Sequence, residues 1–413
     1  MRLIYDIFLF LYNCGIHLAS LFHAKAREWV IGRRNWQIGL KTALAGKPGK
    51  RLWMHCASLG EFEQGRPVLE AWRRRNPEQV IVLTFFSPSG YKHQKAAGLA
   101  DVVAYLPLDG PKASREFVDL LDPGCVLFVK YEFWHYYSMA LFQRQIPLFC
   151  ISAIFRPGQI FFRPYGSFFL RILKRYTCLF VQDEDSFRLL RSHGIADVLV
   201  TGDTRFDRVI QNAGRPFSHP VVEAFCHNRP VLVAGSTWPA DEELLNKFTE
   251  RFPDIALIIA PHEIGDERLD RLSSVFGPDT IRLSKVDAGS MPTGIKVLIV
   301  DSIGMLSSLY RYGKYAYVGG GFGAGIHNTL EAAVYGVPVF FGPHYSKFRE
   351  AVVMVDEGCA FSVDGVDSLA SVLSDMEEDA EKHETVSRKA ARFVEGQAGA
   401  TDRIMDKIIQ SVG

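Results

Sequence analysis

The feature that most constrains this chain is an alternation: short apolar runs rich in Val, Ile, Leu and Phe, each followed by a longer stretch of helical period. From residue 51 the runs are "RLWMHCAS", "QVIVLTFFS", "DVVAYLPL", "CVLFVKYEF", "IPLFCISAIF", "CLFVQDE" and "DVLVTGD". They are continuously apolar, so each is expected to be a strand buried on both faces. Strands of that kind belong to parallel sheets joined by helical crossovers. The rhythm halts at "RFDRVIQNAGRPFSHP", a polar stretch with a glycine and two prolines. It resumes with "PVLVAGST", "IALIIAPHE", "VLIVDS", "YAYVGGG" and "VPVFFGP", and ends in a helical tail from about 380 to 411. At 413 residues the chain exceeds one ordinary core. The expected fold class is therefore α/β, with two doubly wound Rossmann-like domains facing each other across a cleft. The expected boundaries are a basic helical segment over 1–50, a first domain over 51–205, a linker over 206–220 and a second domain, with the C-terminal helix, over 221–413.

Composition removes whole classes of function. The balance of 47 basic against 46 acidic side chains argues against a nucleic-acid binder driven by overall charge. The seven cysteines are widely spaced, form no C-x-x-C pair and lie mostly in apolar runs. They read as buried thiols in a reducing compartment, with no disulfide frame and no zinc site.

The amino terminus, "MRLIYDIFLFLYNCGIHLASLF", is apolar but interrupted by Asp6, Asn13 and His17. It reads as a helix in or on a membrane interface, as a buried structural helix, or as a signal peptide cleaved near "AKA" at 24–26. Residues 1 to 51 carry nine basic side chains against Asp6 and Glu28. That excess suits the anionic lipids of a cytoplasmic leaflet and favours the first reading.

In doubly wound sheets, ligands sit at the carboxyl ends of the strands. "ASLGE" is such an end, and it puts Glu61 in the first turn of a helix, where a carboxylate either caps the helix or does chemistry. "GGGFGAGIHNTLE" contains no G-x-G-x-x-G, so a dinucleotide fingerprint is excluded. Its His327, Asn328 and Glu331 are expected to begin a helix able to receive a phosphate. Asn328 and Glu331 also have the spacing of a capping box. "APHEIGDE" lacks the second His of a zinc helix, so no metal is expected.

The set "ASLGE", "KYEFW", "TGDTRFD", "VDSIGML", "YVGGGF" and "HNTLEAAVYGVPVFFGPH", behind an apolar and basic amino terminus, resembles the 3-deoxy-D-manno-octulosonic acid (Kdo) transferases over nearly the whole chain. The resemblance implies a GT-B fold and an inverting, metal-free and cofactor-free transfer from CMP-Kdo to a lipid A precursor. It also implies a place on the cytoplasmic face of the inner membrane. Carried over by position, Glu61 is the base, and Arg205 stands where the family has a lysine that stabilises the transition state. Lys130 replaces an acid of the family's Glu-x-Glu-Leu-Trp, while Glu132 is kept. Pro261 and His262, then Ile303, Gly304 and Met305, then Asn328, Thr329, Leu330 and Glu331 match the three segments that hold CMP, with Glu331 on the ribose. The family's Pro-Arg-His is Pro261-His262-Glu263 here. A GT-B transferase or epimerase using a UDP-sugar is the alternative, and a membrane-recruited module without turnover is the non-enzymatic one.

Overall fold

The computed structural model describes residues 1–95 and 98–412. They form two compact units: Met1–Arg208 together with the chain from Ala398 onward, and Val209–Gln397.

The first unit holds β1 (Arg51–Cys56), β2 (Ile81–Phe85), β3 (Val102–Tyr105), β4 (Pro123–Val129), β5 (Leu148–Ala153), β6 (Cys178–Val181) and β7 (Val198–Val200). Their order is β3-β2-β1-β4-β5-β6-β7, and the paired strands are parallel. The chain thus winds outward from β1 to β3, crosses back over β1, and winds the other way from β4. The direction reverses between β1 and β4, which is where a crevice opens at the strand ends.

Continuous hydrophobicity has the cause inferred for it. Along β1, Leu52, Met54 and Cys56 pack with Leu83, Leu127 and Ile151 on one face. Trp53 packs with Val82, Val126 and Phe128 on the other. Both sides of the pleat are core. Each aliphatic side chain buried this way contributes about 1.5–3 kcal/mol.

The second unit repeats the plan with β8 (Val231–Thr237), β9 (Ala256–Pro261), β10 (Thr280–Arg282), β11 (Val297–Ile299), β12 (Tyr315–Val318), β13 (Val339–Phe341) and β14 (Ala360–Ser362). Its order is β10-β11-β9-β8-β12-β13-β14, again parallel, and it reverses between β8 and β12. The edge strands β10 ("TIR") and β14 ("AFS") are absent from the sequence reading, because three residues of mixed polarity carry no strand pattern.

The chain departs from the expected boundaries in three places. Residues 1–50 are no separate segment: α1 (Arg2–Ala19), α2 (Ala24–Gly32) and α3 (Trp36–Leu44) belong to the first unit. The stretch expected as a linker contains most of the helix Thr204–Ala213 and the start of Pro220–Cys226. The tail is two helices, Ala380–Gly396 and Ala400–Val412, divided where Gly399 takes φ +89°. The second of them returns to the first unit, burying Ile404, Met405 and Ile408 against its core. The Asp207 carboxylate accepts the amide N–H groups of Gly399 and Thr401, each at 2.6 Å, and so caps that helix from a distance in sequence.

α1 turns its polar side inward. The Tyr5 hydroxyl donates to Asp109 at 2.7 Å, the Tyr136 hydroxyl donates to Asp6 at 2.6 Å, and Arg2 Nε donates to the Tyr136 oxygen at 3.2 Å. Leu9 is its one buried residue. Leu3, Ile4, Ile7, Phe8, Phe10, Leu11 and Leu18 are 49–70% exposed. Among the described residues no helix is long and apolar enough to cross a membrane.

Candidate active site

At the β1/β4 crevice, α4 (Leu59–Arg75) starts from Ser58, an extended N-cap whose Oγ accepts the Glu61 N–H at 3.4 Å. Glu61 Oε2 in turn accepts the Ala57 N–H at 2.5 Å. The capping reading of Glu61 is therefore present in the geometry. Capping alone does not account for its electrostatics. Burial, and then the nearby Glu132 carboxylate, push the Glu61 carboxyl up to about 7, against the opposing pull of the Ala57 amide and of Lys130. A carboxylate poised near neutrality and half-open to solvent is equipped to take a proton.

The neighbours of Glu61 come from the far side of the crevice. Glu132, buried just after β4, accepts from His55 Nε2 at 2.9 Å and from Trp134 Nε1 at 2.7 Å. Lys130, the first residue beyond β4, has φ +68°, a left-handed conformation that costs a non-glycine residue about 1–3 kcal/mol and is found where function dictates the backbone. Its Nζ lies 5.6 Å from the centre of the Tyr131 ring. Arg205 is on the first turn of the helix Thr204–Ala213, where Asp203 accepts from its Nε at 2.8 Å. The preceding Thr204 hydroxyl donates to the Gln64 carbonyl of α4 at 2.5 Å. Glu61 and Lys130 thus share one crevice, and Arg205 is joined to the helix that carries Glu61.

At the β8/β12 crevice the material is different. Gly319, Gly320 and Gly321 follow β12, and a Cβ at Gly321 would sit 2.5 Å from the Gly342 nitrogen beyond β13. Those glycines let backbone pack on backbone. Pro261 ends β9, and His262 after it stacks on Trp238 at 4.7 Å and on His327 at 4.6 Å. Trp238 Nε1 donates to His327 Nε2 at 3.3 Å. Burial, then His262, lower the His327 imidazole below its ordinary value, which agrees with its role as acceptor. Beneath the cluster, Asp241 accepts from the Trp238 and Gly320 amides, each at 2.9 Å, and from the Tyr317 hydroxyl at 2.8 Å.

The expected helix start near Asn328 is corrected. The helix is only Leu330–Ala333, with Thr329 as its N-cap, too short for a phosphate-binding terminus. Asn328 is no N-cap. Its Oδ1 accepts the Leu330 N–H at 3.2 Å in a local turn, and its Nδ2 donates to Glu331 at 3.1 Å. The buried Thr329 hydroxyl has no hydrogen-bond partner among the described residues. Ile303 is 85% exposed beside Gly304, which takes φ +91°, and Met305 follows in the same turn after β11. Among the described residues no three His, Cys, Asp or Glu side chains converge as a metal site.

Two residues that shape these crevices escape sequence reasoning. His55 is hidden inside an apolar strand run, and Trp238 looks like one more aromatic at a strand end. The usable signal was chemical: an imidazole in the middle of a buried strand must find partners on both nitrogens.

Two parallel α/β sheets of this kind are shared with solved GT-B-like chains. The UDP-GlcNAc 2-epimerase of Neisseria meningitidis aligns with a TM-score of 0.62 at 16% identity, over 88% of this chain and 100% of its own, a likeness of fold. Residues 33–208 match the model of the family described as 3-Deoxy-D-manno-octulosonic-acid transferase (kdotransferase). The 3-deoxy-D-manno-octulosonic acid transferase of Aquifex aeolicus is 27% identical over 334 residues, 79% of this chain and 85% of that protein. That of Bordetella pertussis is 27% identical over 416 residues, 93% of this chain and 95% of its own. The chain is a glycosyltransferase, and over most of its length it is similar to Kdo transferases.

Proposed function

We propose that the chain transfers Kdo from CMP-Kdo to a lipid A precursor in lipopolysaccharide synthesis, as an inverting GT-B enzyme on the cytoplasmic face of the inner membrane. The observation that carries the reading is Glu61: a carboxyl at the reversal point of the first sheet, held by the Ala57 amide and raised to about 7. An inverting transfer is one displacement. A base removes the proton of the acceptor hydroxyl as its oxygen attacks the anomeric carbon of Kdo, and CMP leaves from the opposite side.

In this reading Glu61 Oε1 takes that proton, since Oε2 is engaged by Ala57. Arg205, held in place by Asp203, is the cation assigned to the charge of the transition state. Lys130 adds a second positive charge beside the base and keeps Glu61 from rising further. The second unit takes the donor, with Pro261, His262, Ile303, Gly304, Met305, Asn328, Thr329, Leu330 and Glu331 around CMP. Glu331, steadied by Asn328, accepts the ribose hydroxyls. Its proximity also raises the buried Tyr310 hydroxyl, after the larger effect of burial. No metal or cofactor enters the scheme.

The outward apolar side of α1 supports attachment to a membrane surface. Beside it a cavity of about 280 Å³ is lined by Asn13, His17, Arg34 and Trp36, among others, a mixture suited to anionic headgroups.

The test is a donor panel. The purified chain is given a tetraacyl lipid A precursor with CMP-Kdo or with UDP-sugars, and products are read by mass spectrometry. A mass gain of one or more Kdo residues with CMP-Kdo alone is the expected result. Turnover of UDP-sugars alone would overturn it.

A further inference from the structure

We propose that His55 is a positioning residue of the transfer reaction: at the end of a buried chain of donors it holds Glu132 as a fixed negative charge beside Glu61, and that charge makes Glu61 a base. The proposal rests on the reading of Glu61 as the base.

A buried chain of hydrogen bonds ends on Glu132. Trp53 Nε1 donates to Thr84 Oγ1 at 2.8 Å. His55 Nδ1 lies 2.9 Å from the Thr84 hydroxyl and 3.1 Å from the Thr84 carbonyl oxygen. His55 Nε2 donates to Glu132 Oε2 at 2.9 Å, and Trp134 Nε1 donates to the same oxygen at 2.7 Å. Trp53, His55 and Thr84 are all fully buried, so no water takes over any of these roles. Because an indole N–H can only donate, the ends of the chain are fixed. Trp134 Nε1 can only donate, so Glu132 Oε2 is the acceptor at the end of the chain.

Register explains why the sequence makes this possible. His55 of β1 lies directly opposite Thr84 of β2, and Trp53 is two residues earlier on the same face. Glu132 comes from beyond β4, the neighbour of β1 across the reversal point. The charged and titratable groups coupled to Glu61 are Cys56 on β1, Lys130, Tyr131 and Glu132 after β4, and Cys150 on β5. After burial, Glu132 is the one among them that raises Glu61, and Lys130 opposes it.

The experiment titrates Glu61 itself, by carbon-13 NMR of side-chain carboxyls in the full chain without substrate, with the Glu61 signal assigned through Glu61→Gln. In the unaltered chain the midpoint is expected at about 7. Glu132→Gln removes the charge and keeps an oxygen for both donors, and its midpoint should fall toward the ordinary 4.5. His55→Leu should move it the same way, because Glu132 then loses one of the two side-chain donors that hold it. Adding Glu132→Gln to His55→Leu should add nothing further. His55→Gln, which retains an N–H donor, should restore most of the midpoint, and together with Glu132→Gln it carries the test if the leucine variant does not fold. Turnover of His55→Leu at pH 7 should drop about tenfold or more with an unchanged KM for CMP-Kdo. An unmoved Glu61 midpoint in folded Glu132→Gln and His55→Gln or His55→Leu overturns the role of His55, even when Glu61→Gln is inactive. A midpoint that moves while Glu61→Gln turns over normally overturns the base reading, and the positioning role falls with it.

Discussion

The two crevices are built on the same sheet topology and from opposite materials. Between β1 and β4 the chain gathers ionisable side chains: Glu61, Lys130, Glu132 and buried His55. Between β8 and β12 it removes side chains. Gly319 and Gly321 let backbones touch, and Trp238, His262 and His327 stack in a flat cluster. A site that must change a proton's owner needs charges that oppose one another. A site that must hold a nucleotide needs shape, flat faces and donors that do not titrate against each other. The contrast predicts that damage on the first side appears in turnover and damage on the second in donor affinity.

The largest expected effect tests the first half of that division. Glu61→Gln keeps an oxygen to accept the Ala57 N–H, so the melting temperature should stay close to that of the unaltered chain. Turnover should fall about 10²- to 10⁴-fold at unchanged CMP affinity. Normal turnover would leave Glu61 as a cap alone and move attention to Glu132.

The next effect concerns α1. Replacing exposed Phe8 and Leu11 together by glutamate should reduce binding to anionic vesicles about a hundredfold, since each apolar side chain withdrawn from lipid forfeits about 1.5–3 kcal/mol. CMP affinity should not change. Deleting α1 is a poorer test, because it also removes the Tyr5 partner of buried Asp109.

On the donor side, Glu331→Ala should weaken CMP binding about tenfold to a hundredfold, the worth of charge-assisted bonds of about 1.5–3 kcal/mol, as read by calorimetry. Gly321→Ala sharpens the same side. Its Cβ would press on backbone at Gly342, so the second unit should lose about 1–3 kcal/mol in stability and CMP affinity should fall with it, while Glu61 still titrates near 7. A fall in turnover at saturating donor for either variant would blur the division.

The smallest effect is in pH. As a base, Glu61 must be ionised, so the rate should drop as pH falls through about 7. Stability runs the other way. A carboxyl raised from 4.5 to about 7 favours the folded state fully below about 4.5, and that contribution is lost as pH rises to 7. Glu61→Gln should flatten this slope in melting experiments.

The sheets were legible because parallel strands buried on both faces leave an unmistakable apolar run; the strand order, and with it each reversal point, was not. Strands β10 and β14 were not, being three residues at an edge. The last helix was legible as a helix, from Ile404, Met405 and Ile408 at helical spacing. Its unit was not, because an apolar stripe does not say which core it completes. Glu61 was visible from its place after β1. The charges that act on it, Glu132 and Lys130, come from beyond β4, and only the pairing of β1 with β4 brings them to it.

The return of the Ala400–Val412 helix to the first unit has a consequence for how the protein is made. The ribosome emits residues in order, so the second unit is entire in sequence at Gln397, while the first still lacks the helix that covers Leu52, Leu69 and Trp72. The first unit begins synthesis early and closes its core late, with Asp207 waiting for Gly399 and Thr401. The crevice that holds Glu61 is therefore completed only after the second unit has all of its own chain.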